Sequence, residues 1–170
     1  MKKKKISPHI FAMGCTEQLM PDPSIAVSDD SILNMLAQID QLDEIDSEGK
    51  TTLMYAALYE RTRIVDYLLE HGADPNKQDH HKFTALHFAA QNGSAAMVNS
   101  LIKAGAKVNA VDEYGNTPIM RCKANAPFDV FQSLLENGAD PFQKNHYDVS
   151  AYDMFCSNAE IRKMFAMCSE

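Results

Sequence analysis

Asp79-His80-His81-Lys82-Phe83-Thr84-Ala85-Leu86-His87-Phe88-Ala89-Ala90 decides how this chain folds, because versions of it occur three times. Thirty-three residues upstream stands Asp46-Ser47-Glu48-Gly49-Lys50-Thr51-Thr52-Leu53-Met54-Tyr55-Ala56-Ala57. Thirty-three downstream stands Asp112-Glu113-Tyr114-Gly115-Asn116-Thr117-Pro118-Ile119-Met120-Arg121-Cys122. The second half of the unit keeps the same step. Leu68-Leu69-Glu70-His71-Gly72-Ala73-Asp74-Pro75-Asn76 is followed by Leu101-Ile102-Lys103-Ala104-Gly105-Ala106-Lys107-Val108-Asn109, then by Leu134-Leu135-Glu136-Asn137-Gly138-Ala139-Asp140-Pro141. No insertion or deletion breaks the period. A step of this size marks one supersecondary unit stacked on itself.

Each unit can be read from its residues. Thr51, Thr84 and Thr117 are N-cap residues, whose hydroxyls accept from the first free amides of a short helix. Pro118 takes the first helical position, where its missing N–H costs nothing. The pairs Ala56-Ala57 and Ala89-Ala90 let two helices approach closely. A second helix follows, with Ile64, Val65, Leu68 and Leu69, or Met97, Val98, Leu101 and Ile102, at helical spacing. Gly72, Gly105 and Gly138 end it with left-handed backbone. Helices of about eight to ten residues are too short to stand alone in water, so each must bury its apolar face on the neighbouring unit.

These copies resemble the ankyrin repeat, a 33-residue β-turn plus two helices with a T-P-L-H-x-A signature. His87 alone keeps the signature His, and Pro118 alone its Pro. The resemblance implies an all-α solenoid of helix-turn-helix units joined by β-hairpin-like loops. Repeats are expected over 46–78, 79–111 and 112–144. A capping half-repeat precedes them over 28–45, where Met35-Leu36 matches Leu68-Leu69. A degenerate C-terminal capping repeat follows over 145–170, entered at Ser150. Glu60 and Ala126 stand where the pattern favours a glycine between the helices, as at Gly93. Asn125-Ala126-Pro127 is expected to shorten the first helix of its unit, since the residue before proline leaves helical space.

The chain has 170 residues, 45% of them hydrophobic and 23% charged, with a net charge of −7. An acidic chain lacks the electrostatic footprint of a nucleic-acid binder. No apolar run is long enough to cross a membrane. Cys15, Cys122, Cys156 and Cys168 fit neither a zinc framework nor a disulfide scaffold, so a reducing, cytoplasmic setting is expected. Cys122 and Cys156 read as small core residues. Lys2 to Lys5 open a segment, 1–27, expected to be a flexible tail. Ala12-Met13-Gly14-Cys15 weakly resembles a lipoprotein cleavage box, but Pro8 and His9 interrupt the apolar stretch that lipidation at Cys15 would need.

Chemistry has few places to sit. There is no phosphate-cradling glycine loop, no G-x-S-x-G and no H-E-x-x-H. His80 and His81 are adjacent and point apart. His87 follows the Thr cap, and the resemblance implies that it hydrogen-bonds the Thr and the next loop. A metal held by His80, His81, Tyr114 and His146 is the rival reading, of a metal-dependent enzyme or regulator, and it is disfavoured. No catalytic residue, metal or cofactor is expected.

The resemblance implies a partner protein bound on the concave side, which is built of hairpin tips and first-helix ends. Carried onto this chain, the binding residues are Lys50, Leu58, Tyr59, His80, His81, Phe83, Gln91, Asn92, Glu113, Tyr114, Asn116, Asn125, His146 and Tyr147. Tyr59, Phe83, Tyr114 and Tyr147 form a possible aromatic row, and exposed aromatics in a row are hot-spot material. Charge is zoned. Residues 28–45 carry five carboxylates and no Lys or Arg, whereas 79–111 has one Asp against three Lys. The expectation is a stand-alone binder or inhibitor, monomeric when free, since the caps leave no room for a second domain. One version is a bacterial protein that neutralises a toxin or targets a host protein. Replacing Phe83 or Tyr114 by Ala should weaken partner capture by more than about 1 kcal/mol each and leave folding intact; collapse of the fold would mean that the ring is core.

Overall fold

The computed structural model describes residues 28–38 and 41–167. The segment 1–27, with the basic run and Cys15, lies outside the described residues, as does Cys168. Nine helices occur among those described: α1 Asp29–Leu36, α2 Thr52–Leu58, α3 Thr62–Glu70, α4 Ala85–Asn92, α5 Ala95–Lys103, α6 Pro118–Arg121, α7 Phe128–Glu136, α8 Ala151–Phe155 and α9 Ala159–Ala166. None of the described helices is long and apolar enough to cross a membrane. No strand occurs there either. The loops are hairpin-like, two of them closed by isolated antiparallel bridges, Ile45 to Thr51 and Lys144 to Ser150.

The caps show why the helices start where they do. The Thr51 hydroxyl accepts from the Met54 amide at 3.3 Å. At Thr84 both the amide (3.1 Å) and the hydroxyl (2.9 Å) meet Nδ1 of His87. An Nδ1 that accepts leaves the hydrogen on Nε2, which donates to the Asn116 carbonyl of the next unit at 3.2 Å. One imidazole thus caps its own helix and ties down the following loop. His87 is fully buried, and burial pushes it down to about 4, so it is neutral at pH 7. Thr117 has the same extended cap backbone, but Met120 replaces the histidine, and the buried Thr117 hydroxyl has no hydrogen-bond partner.

The second helices end by one repeated device. Gly72, Gly105 and Gly138 all lie near φ +88°, +89° and +87°. The alanine after each glycine sends its amide back to the carbonyl of Leu68, Leu101 or Leu134 at 2.9–3.0 Å. This is a Schellman closure, with the alanine packed against the leucine it caps. Ala73, Ala106 and Ala139 are accordingly buried.

The units stack in two files. First helices pack α2 on α4, α4 on α6 and α6 on α8. Second helices pack α1 on α3, α3 on α5, α5 on α7 and α7 on α9. The core is therefore a run of seams. Ala56, Ala57, Ala89 and Ala90 have no exposed surface, nor do Ile64, Leu68, Leu101 and Leu134. A buried leucine contributes about 1.5–3 kcal/mol, so each seam matters to the whole. Phe131 closes the last one, edge-on to Phe155 (5.1 Å) and Phe165 (6.4 Å).

Three expectations need correction. The helices are not uniformly eight to ten residues: α6 has four and α8 five. The chain leaves α6 already at Cys122 (φ −56°, ψ 138°), well before Pro127. The loop then brings Pro127 against Gly93, where a Cβ would stand 3.0 Å from the proline Cδ. Glu60 adopts the left-handed backbone that glycine has in the next unit, at φ 58°. Cys156, finally, is half-exposed at the end of α8 rather than core; Cys122 is core, its thiol pushed up to about 12 by burial.

The unfolded His87 takes its proton near pH 6.5 and the folded one only near 4. Its contribution to stability is complete above pH 6.5 and is lost as the pH falls from there to 4, by roughly 3 kcal/mol. His87→Met, using the residue found at 54 and 120, should remove that loss. Met120→His should give the Thr117 hydroxyl an acceptor, add about 1 kcal/mol at pH 7 and steepen the acid loss. Urea midpoints at pH 7.5, 5.5 and 4.0 test this. Equal acid loss in the parent and in His87→Met would refute it.

Candidate functional site

The hairpin tips are shaped by one side-chain oxygen per unit. Oδ1 of Asp46 accepts from the amides of Glu48 and Lys50 at 2.8 and 2.9 Å. Oδ1 of Asp79 takes His81 and Phe83 (2.9 and 2.8 Å), and that of Asp112 takes Tyr114 and Asn116 (2.8 and 2.9 Å). In the last unit Asn145 does the same for Tyr147 and Val149. An amide oxygen suffices for this turn, so the charge is not what the turn needs. At two of the three carboxylates the second oxygen has a side-chain partner of its own. Tyr55 donates to Asp46 at 2.5 Å, and the Arg121 guanidinium holds Asp112 through Nε at 2.8 Å and through Nη2. Burial works to raise both carboxyls. Tyr55 with two amides at Asp46, and Arg121 with the Asn116 and Tyr114 amides at Asp112, outweigh it and hold them low.

Backbone bonds join tip to tip. The amides of His80, Glu113 and His146 each donate at 3.0 Å to a carbonyl of the preceding unit: Glu48, His81 and Tyr114. The rings of His80 and His146 sit over Gly49 and Gly115, where an added Cβ would come within 2.7 and 2.8 Å of them. The tips form a preformed ridge, not separate loops.

On this ridge the four aromatics fall into three groups. Tyr114 and Tyr147 lie 44% and 68% exposed on successive tips, with ring centroids 6.4 Å apart and planes at 29°. Phe83 is half-buried, 5.3 Å from both His87 and Phe88, and the Arg121 guanidinium stands 4.6 Å above its ring. Tyr59 stacks on Tyr55 at 6.2 Å, at the end of α2.

The other residues divide similarly. His81 reaches Glu113 across the seam, Nδ1 to Oε1 at 2.7 Å. Lys50 pairs with Glu48. Asn116 accepts from the Asn145 side chain at 2.7 Å and faces Asp112. The Asn92 amide donates to the Ala57 and Leu58 carbonyls at 3.0 and 2.8 Å, so it closes the end of α2 from the next unit. Leu58 is half-buried; His80, Gln91, Asn125 and His146 are exposed. Among the described residues no three His, Cys, Asp or Glu side chains converge on a common metal position.

Two features escaped the sequence reading. Asn76 clamps the next unit with both ends of its amide, donating to the Gly105 carbonyl (3.0 Å) and accepting from the Lys107 amide (2.8 Å). Asn109 does this to Gly138 and Asp140, and Asp43 makes the accepting half at Asp74. The 33-residue spacing of 43, 76 and 109 was a signal for it. The Arg121 cover on Phe83 had no such signal.

A family model for ankyrin repeats in many copies matches residues 68–120, one for three copies matches 24–79, and a single-repeat model matches 114–146. Among curated proteins, inversin of Mus musculus and of Homo sapiens are 53% identical over 49 residues, 29% of this chain and 5% of theirs. Inversin of Gallus gallus is 42% identical over 62 residues, 36% of this chain and 6% of its own. The chain thus spans a small part of the length of the relatives it matches.

Asn92→Ala would strip the Leu58 carbonyl of its donor and take one of several from the Ala57 carbonyl, which keeps the Glu60 amide at 3.3 Å, and should cost about 1 kcal/mol of folding stability. Its exposed neighbour Gln91→Ala should stay within about 0.5 kcal/mol. Chemical denaturation separates the two; equal effects would mean that the Asn92 bonds contribute nothing.

Proposed function

The chain belongs to the ankyrin-repeat family, whose repeats generally mediate protein–protein contact, and from that premise we propose that it is a non-catalytic binder that captures a partner protein along its hairpin tips and first-helix ends. The observation that carries this is the Tyr114–Tyr147 pair. Two large rings stacked in solvent on adjacent tips contribute nothing to the core, yet they offer an apolar anchor with a polar rim. The ridge beneath them is already hydrogen-bonded, so little ordering is lost on docking. A rigid face of this kind suits a binder or an inhibitor that occludes its target. The protein acts as a monomer when free, in the cytoplasm, where Cys122 and Cys156 stay reduced. His81 turns to Glu113, and His80 and His146 lie on glycines, an arrangement that favours binding over metal chemistry.

Affinity capture with the full chain, followed by calorimetric titration of the captured protein, tests the proposal. Tyr114→Ala and Tyr147→Ala should each weaken binding about tenfold, near 1.4 kcal/mol, at an unchanged melting temperature. Undiminished affinity in both variants would rule this face out.

A further inference from the structure

We propose that the tyrosine pair is an arginine dock: the partner presents a basic segment, and an arginine of it lies on the Tyr114 and Tyr147 rings beside the Glu113 and Asp148 carboxylates. This rests on the binding role proposed above and deepens it by naming the chemistry of the partner.

The fold already contains the arrangement once, with its own arginine. Arg121 lies 4.6 Å over the Phe83 ring while its guanidinium holds the Asp112 carboxylate. A planar cation over an aromatic face, steered by a carboxylate at its edge, is a favourable combination, and the guanidinium suits it better than a lysine ammonium. At the next two tips the ring and the acid are present, and among the described residues no cation lies over either ring. Tyr114 and Tyr147 are stacked and exposed. Glu113 precedes Tyr114 and lies close enough to raise its phenol above the ordinary range, chiefly through a hydrogen bond. Asp148 follows Tyr147 and is fully at the surface.

The charge around the pair is complementary to such a guest. Glu113 and Asp148 stand next to the two rings in the chain, against Arg121, whose guanidinium is already held by Asp112, and Lys144, whose ammonium pairs with Asp148 at 2.8 Å. Glu113 is tied to His81 at 2.7 Å. Both ties are surface pairs, which a bound guanidinium can replace at little cost. The whole chain carries −7, so a basic segment is also drawn in at long range. The Tyr59 and Phe83 rings lack this opening. Tyr59 lies on Tyr55, and Phe83 is covered by Arg121.

The test uses the full chain and a fluorescein-labelled peptide of three arginines separated by glycine pairs, with a lysine counterpart, in anisotropy titrations at 0.15 M salt. The arginine peptide should bind at least threefold more tightly than the lysine one. Tyr147→Ala and Tyr114→Ala should weaken it at least fivefold, Tyr147→Phe less than twofold, and Glu113→Gln about threefold, with circular dichroism melts unchanged. Equal binding of the two peptides, insensitive to the tyrosines, would reduce the effect to the net charge and overturn the dock; so would no binding. If the arginine peptide fails while Tyr147→Ala still loses the captured protein, the dock falls and the binding role stands. If Tyr147→Ala keeps that protein, the binding role falls with it.

Discussion

One oxygen in each unit, on Asp46, Asp79, Asp112 or Asn145, accepts two backbone amides and so sets the course of the whole hairpin. Everything on the tips depends on it. The corner residue that follows is forced to positive φ: Gly49 and Gly115 adopt it freely, while Lys82 and Asp148 adopt it at φ 60° and 62°. The backbone bond to the preceding tip then falls within reach, and the aromatic rings are presented side by side. At two of the three carboxylates, Asp46 and Asp112, the second oxygen serves another task, which is to anchor the tip to its own first helix through Tyr55 or Arg121. Phe88 takes that place in the second unit, and there the ring of Phe83 lies against it instead.

The energetics follow from the layout. Short helices with no independent stability are held by seams, and each seam combines small apolar residues with a few oriented polar bonds. His87, Asn92, Asn76 and Asn109 are all such bonds, and each crosses from one unit to the next. They run from the buried His87 through the part-buried Asn76 and Asn92 to the exposed Asn109, and they add register to a core that alanine and leucine would otherwise leave free to slide. The third unit is the least complete: α6 is short, Met120 leaves the Thr117 hydroxyl unpaired, and Arg121 takes over part of the task of holding its tip.

Much of this could be read from the letters alone. The period, the Thr caps, the Gly–Ala closures and the two files of helices all depend on contacts within a unit or between equal positions of neighbours, which a strict repeat displays. What stayed hidden involves residues that break the repeat. Nothing in Phe83 itself says that Arg121, 38 positions on, will cover it, because no other unit has an arginine there. Asn92 reads as a binding residue at a first-helix end, because the Ala57 and Leu58 carbonyls it meets belong to the preceding unit. The Asn76 and Asn109 clamps show in the sequence only as a spacing, since the groups they meet belong to another unit's loop. Among the tip aromatics, sequence gave position along the ridge and burial depended on neighbours, so only Tyr114 and Tyr147 emerged as a pair.

His80 over Gly49 and His146 over Gly115 carry one more implication, for heredity rather than for binding. Each histidine is written in one unit and fits a glycine written in the one before, where even a methyl group would collide with the ring. The two positions cannot drift independently: a larger residue at 49 is tolerable only after 80 has changed. Lys82, at the corresponding corner of the second unit, is followed by Glu113 rather than histidine, which is the other compatible solution. Duplication or exchange of units in such a gene therefore cannot cut cleanly at the repeat boundary. A transplanted unit brings half of each of two seams, and a break anywhere between 49 and 80, the helices included, parts that pair, so the incoming unit must match both of its neighbours.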